Sequence, residues 1–203
     1  MKGETQYWLG DCLLVGGVYE PGNSKASMYL PTRGDGDEGY LNLNEPQQYI
    51  KAGQWVEIES EWKDSIPLLA KVGGAIVVGK DIQTRSPGDH RFPSPNAVED
   101  DYRAVEIFPP AGSSTTTYSY TWYEDDGIAA KPAISKFTLE YSSTETEVSV
   151  RYLKAQENRY VPIWKDVDII LPIDDERVVV TGSGSGRRGV DSRGRPVYTI
   201  AAL

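Results

Sequence analysis

In the second half of the chain, apolar and polar side chains alternate along several short segments. Residues 118–123, 136–141 and 147–152 carry an apolar side chain at every second position. Successive side chains of an extended strand point to opposite faces, so each segment has one apolar and one polar face. Gly, Pro and Asp residues bound these segments. The pattern predicts antiparallel strands of a β-sandwich whose sheets each keep one face in water.

Three further short segments extend this predicted sandwich towards the end of the chain. They lie at 167–171, 177–181 and 196–200, and each is rich in β-branched residues. We therefore predict a distal β-sandwich domain over residues 101–203. Residues 82–100 just before it are rich in Pro and polar side chains and have no periodicity, which predicts a linker.

A smaller β unit is predicted over residues 21–81. Residues 54–59 alternate between two faces, and residues 66–70 and 74–78 are apolar. Gly73 and the glycine after it separate the two apolar segments and permit a tight turn. These features predict a proximal β-sandwich domain before the linker.

The opening segment, residues 7–18, has apolar side chains on both faces, which is typical of a fully buried strand. Because only a few residues precede it, the sequence predicts that residues 1–20 are the last strand of a larger sheet or barrel. The segment is too short to span a bilayer and Asp11 interrupts it. It also lacks the small-residue cleavage site of a signal peptide, so the compartment stays open.

The charge of the chain limits the classes of partner. The formal net charge is −9, which disfavours nucleic acids and anionic membranes and suits a neutral ligand. Cys12 is the single cysteine, so an internal disulfide is excluded. The single histidine, His90, lies in the predicted linker without a second His or Cys near it, which makes it a poor metal ligand or general base.

Three adjacent acids, Glu124, Asp125 and Asp126, could bind a cation or act as an acid and base pair. However, Asp-Gly between two strands is a strong hairpin signal. Neighbouring carboxylates of one turn also cannot bracket a glycosidic bond, since such groups stand about 5 Å or more apart across the substrate. We favour a hairpin turn exposed to water.

Tyr118, Tyr120, Trp122 and Tyr123 form an aromatic set that could stack on a sugar. Aromatic residues at every second position more often pack in a core and across strands. We therefore predict core packing for this set.

Two glycine-rich segments carry charges that could bind a ligand. Residues 33–39 place acids at alternate positions, but the calcium-loop pattern of an EF-hand is incomplete. Residues 182–189 resemble an arginine-glycine tract that binds nucleic acids. We favour a solvated loop for the first, because the pattern is incomplete, and a mobile hairpin loop for the second, because the chain is acidic.

Five motifs, taken in order, resemble the C-terminal part of glycoside hydrolase family 31, the α-glucosidases and α-xylosidases. The motifs are Trp-Leu-Gly-Asp-Cys-Leu-Leu-Val at 8–15, Met-Tyr-Leu-Pro at 28–31, Gly-Gln-Trp at 53–55, Ile-Pro-Leu-Leu-Ala-Lys-Val-Gly-Gly-Ala-Ile at 66–76, and Tyr-Glu-Asp-Asp-Gly at 123–127. The resemblance implies the closing strand of a (β/α)8 barrel, followed by a proximal and a distal β-sandwich domain.

The chain departs from the family pattern at three places. Residues 34–44 stand where the family usually carries Trp-Tyr-Asp-x-Trp-x-Gly, Lys71 stands where Arg is common, and residues 77–78 are Val-Val in place of Ile-Pro. The resemblance therefore leaves the sugar and the linkage open.

The resemblance also implies what the chain does. The parent enzyme would be a retaining α-glycosidase that hydrolyses terminal α-linked glucosyl or xylosyl residues with two aspartates of its barrel. The Trp-x-Asp-Met-Asn type of nucleophile segment is absent from this sequence. We therefore predict no catalytic residue, no metal and no cofactor in this chain, and we name no substrate-binding residue.

The expected partners are a carbohydrate, bound by the parent enzyme, and the catalytic barrel on which this chain would pack. No nucleic acid or membrane partner is expected. The alternative is a stand-alone β-sandwich module that binds glycan or has a purely structural role.

Overall fold

The computed structural model describes residues 6–18, 21–32, 39–44, 48–60, 65–79, 101–126, 129–154, 160–182 and 184–201. All regular elements in these ranges are strands. Among them there is no helix long and apolar enough to cross a membrane. The all-β prediction is confirmed.

Seven strands form the first unit, and they build two sheets that face each other. A five-stranded antiparallel sheet, here called the first sheet, has the order β1-β2-β7-β4-β5, and β3 pairs with β6 in a two-stranded antiparallel sheet. The strands are β1 (Gln6–Leu9), β2 (Leu13–Gly16), β3 (Lys25–Tyr29), β4 (Gly39–Asn42), β5 (Gln48–Lys51), β6 (Trp55–Glu59) and β7 (Leu68–Lys71).

Alternation of side chains explains the core of the first unit. Ala26 and Met28 of β3 and Ile58 of β6 point inwards, while Ser27 and Glu57 between them point to solvent. They pack on Leu14 of β2 and on its neighbours in the first sheet. The two sheets thus bury one small apolar cluster between them.

The opening segment folds as a hairpin. The prediction of one continuous strand over residues 7–18 is wrong, because Gly10 adopts a left-handed φ of 62° and the chain reverses between β1 and β2. β2 then pairs with β7, so the segment has neighbours within this chain. The assignment of residues 1–20 to the closing strand of a barrel stays a prediction.

Ten strands form the second unit, a sandwich of two five-stranded sheets. One sheet, here the β10 sheet, has the order β10-β11-β12-β14-β15; the other, the β13 sheet, has the order β16-β17-β13-β9-β8. The strands are β8 (Ala75–Gly79), β9 (Arg103–Ile107), β10 (Tyr118–Glu124), β11 (Ser135–Ser143), β12 (Glu147–Lys154), β13 (Asp166–Ile170), β14 (Val178–Thr181), β15 (Gly184–Ser185), β16 (Arg187–Val190) and β17 (Pro196–Ala201).

Two neighbour pairs of the second unit are parallel, β12 with β14 and β13 with β9, and the other pairs are antiparallel. The inward faces of the two sheets supply one large core. It contains the aromatic side chains of Phe137, Tyr141, Trp164 and Tyr198, which are almost fully buried. The period-2 pattern of the sequence therefore predicted correctly which residues of β10, β11 and β12 face this core.

β8 joins the two units closely. It pairs antiparallel with β9, and only residues 72–74 separate it from β7 of the first sheet. Residues 80–102 therefore connect two neighbouring strands of one sheet, whereas the sequence predicted a linker at 82–100 between a proximal domain at 21–81 and a distal domain at 101–203. Residues 80–100 lie outside the described residues, and the domain bounds stay a prediction.

The junction between the units is apolar. Phe108, which follows β9, packs with Cys12, Leu41 and Ala70 on the outer face of the first sheet. The Cys12 thiol donates to the Ala75 carbonyl over 3.4 Å, and burial raises its pKa to about 11. The two units therefore share a small core of their own.

Candidate functional site

The three predicted turn acids do not share one environment. Asp125 and Asp126 are exposed, but Glu124 is the last residue of β10 and is 8% exposed. The prediction that Glu124 lies on an exposed turn is wrong. Glu124 has the same parity along the strand as Trp122, so its side chain faces the core.

A buried ion pair holds Glu124. Arg103 of β9, in the opposite sheet, donates to the two Glu124 carboxylate oxygens over 2.6 Å and 2.8 Å. The Trp122 indole Nε1 also donates to Glu124 over 2.9 Å. Three donors thus occupy the carboxylate. An arginine at an inward position of β9 was the sequence signal for this pair, and it was missed.

Aromatic rings close this end of the core. The Arg103 guanidinium lies 6.0 Å from the centroid of the Trp164 ring, a cation–π contact. Burial, and after it the charge of Glu124, raises the pKa of Tyr152. The Tyr152 hydroxyl and the Trp164 indole nitrogen are buried without a hydrogen-bond partner among the described residues. The arrangement ties the two sheets together and presents no carboxylate to a substrate.

The aromatic set of β10 packs mainly in the core, as predicted. Trp122 is buried, and Tyr118 and Tyr120 are half-buried against the same cluster. Tyr123 points the other way and is 66% exposed. One exposed ring on this strand is not an aromatic platform.

The glycine-rich segment at 182–189 belongs largely to strands. β15 pairs with β14 in one sheet and β16 pairs with β17 in the other, so the prediction of a mobile loop is wrong. The chain passes from one sheet to the other at Gly186. A Cβ there would lie only 3.2 Å from the Thr199 carbonyl oxygen, so the close approach of the two backbones favours glycine. Ser183 lies outside the described residues.

The outer face of the β13 sheet carries a polar groove, a site that the sequence analysis did not find. Two adjoining cavities of about 340 Å³ and 320 Å³ share Tyr102, Asp168, Arg187 and Thr199. Three of these form one row across the sheet, because Arg187 and Asp168 both pair with Thr199. The row brings a cation and a carboxylate to opposite sides of one hydroxyl side chain.

Hydrogen bonds fix the carboxylate of this groove. The Thr199 Oγ1 donates to Asp168 over 2.6 Å, and Tyr102 lines the groove beside the same carboxylate. Burial first, and then the Asp168 charge, raises the pKa of Tyr102 to about 12. Tyr102 is therefore a neutral hydrogen-bond donor at physiological pH. The outward position of Asp168 in β13 was the available sequence signal.

The outer face of the first sheet is different, because a row of apolar side chains crosses it. Tyr7 pairs with Val15, and Val15 pairs with Leu68. Leu43, the residue after β4, lies beside Leu68, and its backbone N–H donates to the Leu68 carbonyl over 2.9 Å. Tyr7 is 57% exposed and Leu43 is 36% exposed. We call these four residues the apolar row. Leu41 and Ala70 form the neighbouring row on the same face, and Phe108 packs against them.

No group of three or more His, Cys, Asp or Glu side chains could hold a metal within the described ranges. Residues 33–38 of the acidic loop and His90 lie outside those ranges, so the predictions for them stay predictions.

Comparison with known proteins identifies the origin of the first unit. A family model described as the glycosyl hydrolase family 31 C-terminal domain matches residues 1–77. This match covers 77 of the 203 residues. The resemblance drawn from the motifs is thereby confirmed.

Solved structures of family 31 enzymes share the fold of almost the whole chain. A dextranase from Flavobacterium johnsoniae is similar over 97% of this chain and 25% of its own, with a TM-score of 0.62 and 15% identity. An α-xylosidase from Xanthomonas citri is similar over 84% of this chain and 17% of its own, with a TM-score of 0.58 and 20% identity.

An α-1,4-glucan lyase from Gracilariopsis lemaneiformis is similar over 94% of this chain and 21% of its own, with a TM-score of 0.59 and 12% identity. At these identities the likeness shows the fold alone. The chain spans a quarter or less of the length of these three proteins. No curated protein sequence matches it.

Proposed function

We propose that this chain is the non-catalytic C-terminal β-sandwich region of a retaining family 31 α-glycosidase. One observation carries the proposal: family 31 enzymes align with nearly all of this chain through a small part of their own length. The match of residues 1–77 to the family's C-terminal domain supports the same conclusion. The parent enzyme would hydrolyse terminal α-linked glucosyl or xylosyl residues with aspartates of its barrel.

The environment of the carboxylates supports a non-catalytic role. Retaining hydrolysis uses two carboxyl groups about 5–5.5 Å apart across the scissile bond, one ionised and one protonated. Glu124 is engaged by Arg103 and Trp122 in the core, so it faces no substrate. Asp125 and Asp126 follow it on the surface. Adjacent carboxylates at a strand end cannot bracket a sugar ring.

The apolar row supports packing on a catalytic barrel. Val15 within the row is already buried and Leu68 is half-buried, but exposed apolar side chains such as those at its ends can mark an interface. Tyr7 and Leu43 lie at the two ends of the row, beside the part of the same face that Phe108 of the second unit covers. A barrel placed against the row would complete the burial of this face.

The test is the length of the protein in its native cells. An antibody raised against this chain should detect a polypeptide about four to five times as long, since 97% of this chain covers 25% of one relative and 84% covers 17% of another. A band at 22.5 kDa instead would contradict the proposal and favour a stand-alone module.

A hydrolysis assay tests the non-catalytic role separately. The purified chain should release no 4-nitrophenol from aryl α-glucoside or aryl α-xyloside above the background. Turnover that disappears in an Asp125→Asn/Asp126→Asn variant would overturn this conclusion, because it would assign catalysis to the surface acids.

A further inference from the structure

We propose that the polar groove on the outer face of the β13 sheet binds a neutral oligosaccharide. The groove is formed by Tyr102, Asp168, Arg187 and Thr199, which line both of its adjoining cavities. Their side chains supply hydroxyl, carboxylate and guanidinium groups along one surface.

The hydrogen-bond inventory of the groove suits vicinal hydroxyl groups. Asp168 accepts from Thr199, which orients its carboxylate, and a carboxylate has about four acceptor positions in all. Arg187 is exposed and forms no ion pair with any described residue, so its five N–H donors are available. A sugar hydroxyl can donate to Asp168 while its neighbour accepts from Arg187.

The charges around the groove favour a neutral ligand. As many acidic as basic side chains line the two cavities, namely Asp101, Asp166, Asp168 and Asp191 against Arg103, Lys165, Arg187 and Arg188. Arg103 is already neutralised by Glu124 and Asp191 by Arg195, which leaves three charges of each sign. An extended polyanion or polycation would meet like charges along the groove, whereas a polyol would meet only donors and acceptors.

The size of the groove agrees with a short oligosaccharide. Each cavity of about 340 Å³ or 320 Å³ is at the lower end of the usual range for small-ligand sites, and the two adjoin. The groove is open along the sheet face, which leaves room for the ends of a chain. We expect an α-glucan in particular, and this choice of sugar rests on the proposed function.

Affinity electrophoresis of the full chain tests the proposal. Native gels containing dextran or soluble starch should retard the wild-type protein relative to a gel without polysaccharide. Arg187→Gln and Asp168→Asn should each weaken binding about tenfold or more, because each removes a charged hydrogen-bond partner of the sugar. Thermal unfolding should show that Arg187→Gln, an exposed change, leaves the fold intact.

Arg151→Gln provides the matched control. Arg151 lies on the β10 sheet, is 73% exposed and stands 3.7 Å from Glu140, so this variant also loses one surface arginine. Its retardation should equal that of the wild type. Equal losses in Arg151→Gln and Arg187→Gln would overturn the proposal by showing a general charge effect.

Two other outcomes also overturn the proposal. Absence of retardation by both α-glucans rejects the ligand, and retardation by heparin in their place assigns the groove to an anion. Neither outcome bears on the length of the native polypeptide or on the hydrolysis assay. Failure of this inference is therefore distinguishable from failure of the proposed function.

Discussion

The outer faces of the first sheet and of the β13 sheet have opposite character. The first carries the apolar row, with Tyr7 and Leu43 exposed at its ends. The second carries the polar groove, where Asp168 and Thr199 are joined by a short hydrogen bond. Both faces belong to five-stranded sheets whose inner faces are packed against a second sheet. The difference indicates that the outer face of the first sheet is suited to another protein surface, whereas that of the β13 sheet is suited to water and polar ligands.

The second unit also differs from the first in having a charge pair inside its core, and removing one partner should have the largest effect. Glu124→Ala leaves Arg103 buried without a counter-charge, so we expect the free energy of unfolding to fall by about 3–5 kcal/mol. Urea unfolding followed by tryptophan fluorescence measures the change. Glu140→Ala, which removes the partner of exposed Arg151, is the control and should cost at most about 1 kcal/mol. Similar losses of stability in the two variants would contradict the conclusion that the Arg103–Glu124 ion pair is buried.

The core of the first unit should respond to the loss of an apolar side chain. Met28 of β3 is fully buried between the two-stranded sheet and the first sheet, so Met28→Ala should lower the free energy of unfolding by about 2–5 kcal/mol. If the junction couples the two units, the fluorescence of Trp164 in the second unit will report the same transition. A second-unit transition that stays at the wild-type midpoint would show that the units unfold independently.

The junction itself can be tested at Gly73. Its φ is 81°, and a Cβ there would lie 2.3 Å from the Tyr118 ring. Gly73→Ala should therefore cost about 1–3 kcal/mol, from backbone strain and from displacement of the ring. Gly112→Ala is the control, because a Cβ at Gly112 meets no atom within 4 Å. Equal denaturation midpoints for the two variants would mean that the ring moves aside without cost.

Acid should weaken the polar outer face. The backbone N–H groups of Arg193 and Arg195 and the Arg195 side chain donate to Asp191, and against the effect of burial they lower its pKa. A carboxyl group whose pKa is lowered in the folded state stabilises the fold above its ordinary pKa of about 4, and this contribution disappears as the pH falls through the folded value. Asp191→Asn should therefore lose less stability than the wild type between pH 6 and pH 3, in urea midpoints measured at each pH. An identical pH profile would show that this turn contributes nothing.

The apolar row should have the smallest effect on stability and a visible effect on association. Tyr7→Ser should change the free energy of unfolding by no more than about 0.5–1 kcal/mol, because the side chain is 57% exposed. It should raise the monomer fraction of the isolated chain at high concentration, as measured by analytical ultracentrifugation. Tyr123→Ser, at 66% exposure on the β10 sheet, is the control and should leave the monomer fraction unchanged.

Sequence periodicity was enough to predict β10, β11 and β12 of the second unit and their inward faces, but not β15 and β16, which were assigned to a loop. Phe137, Leu139 and Tyr141 face the core because every second side chain of a strand points to the same side. The same rule would have placed Glu124 in the core, but the acidic residues after it led to a turn assignment that began too early. Its partner Arg103 belongs to the opposite sheet, and a pairing between sheets has no signature in local sequence.

Two other features were not predictable from local patterns. The turn at Gly10 was not predicted, because apolar residues both precede and follow it in the sequence and suggest one continuous strand. The groove depends on the register that places Arg187 and Asp168 beside Thr199, and register between distant strands is set by the whole fold. Local sequence therefore predicted strands and faces, while positions across strands required the tertiary structure.

The short connection between β7 and β8 has a consequence for how such a region can be inherited. Three residues separate a strand of one sheet from a strand of the next, so a genetic exchange has almost no room for a breakpoint between the units. A crossover there would separate Phe108 from Leu41 and Ala70, exposing the small apolar cluster that the two units share. The two units would therefore be expected to move together between genes, as one module rather than as two.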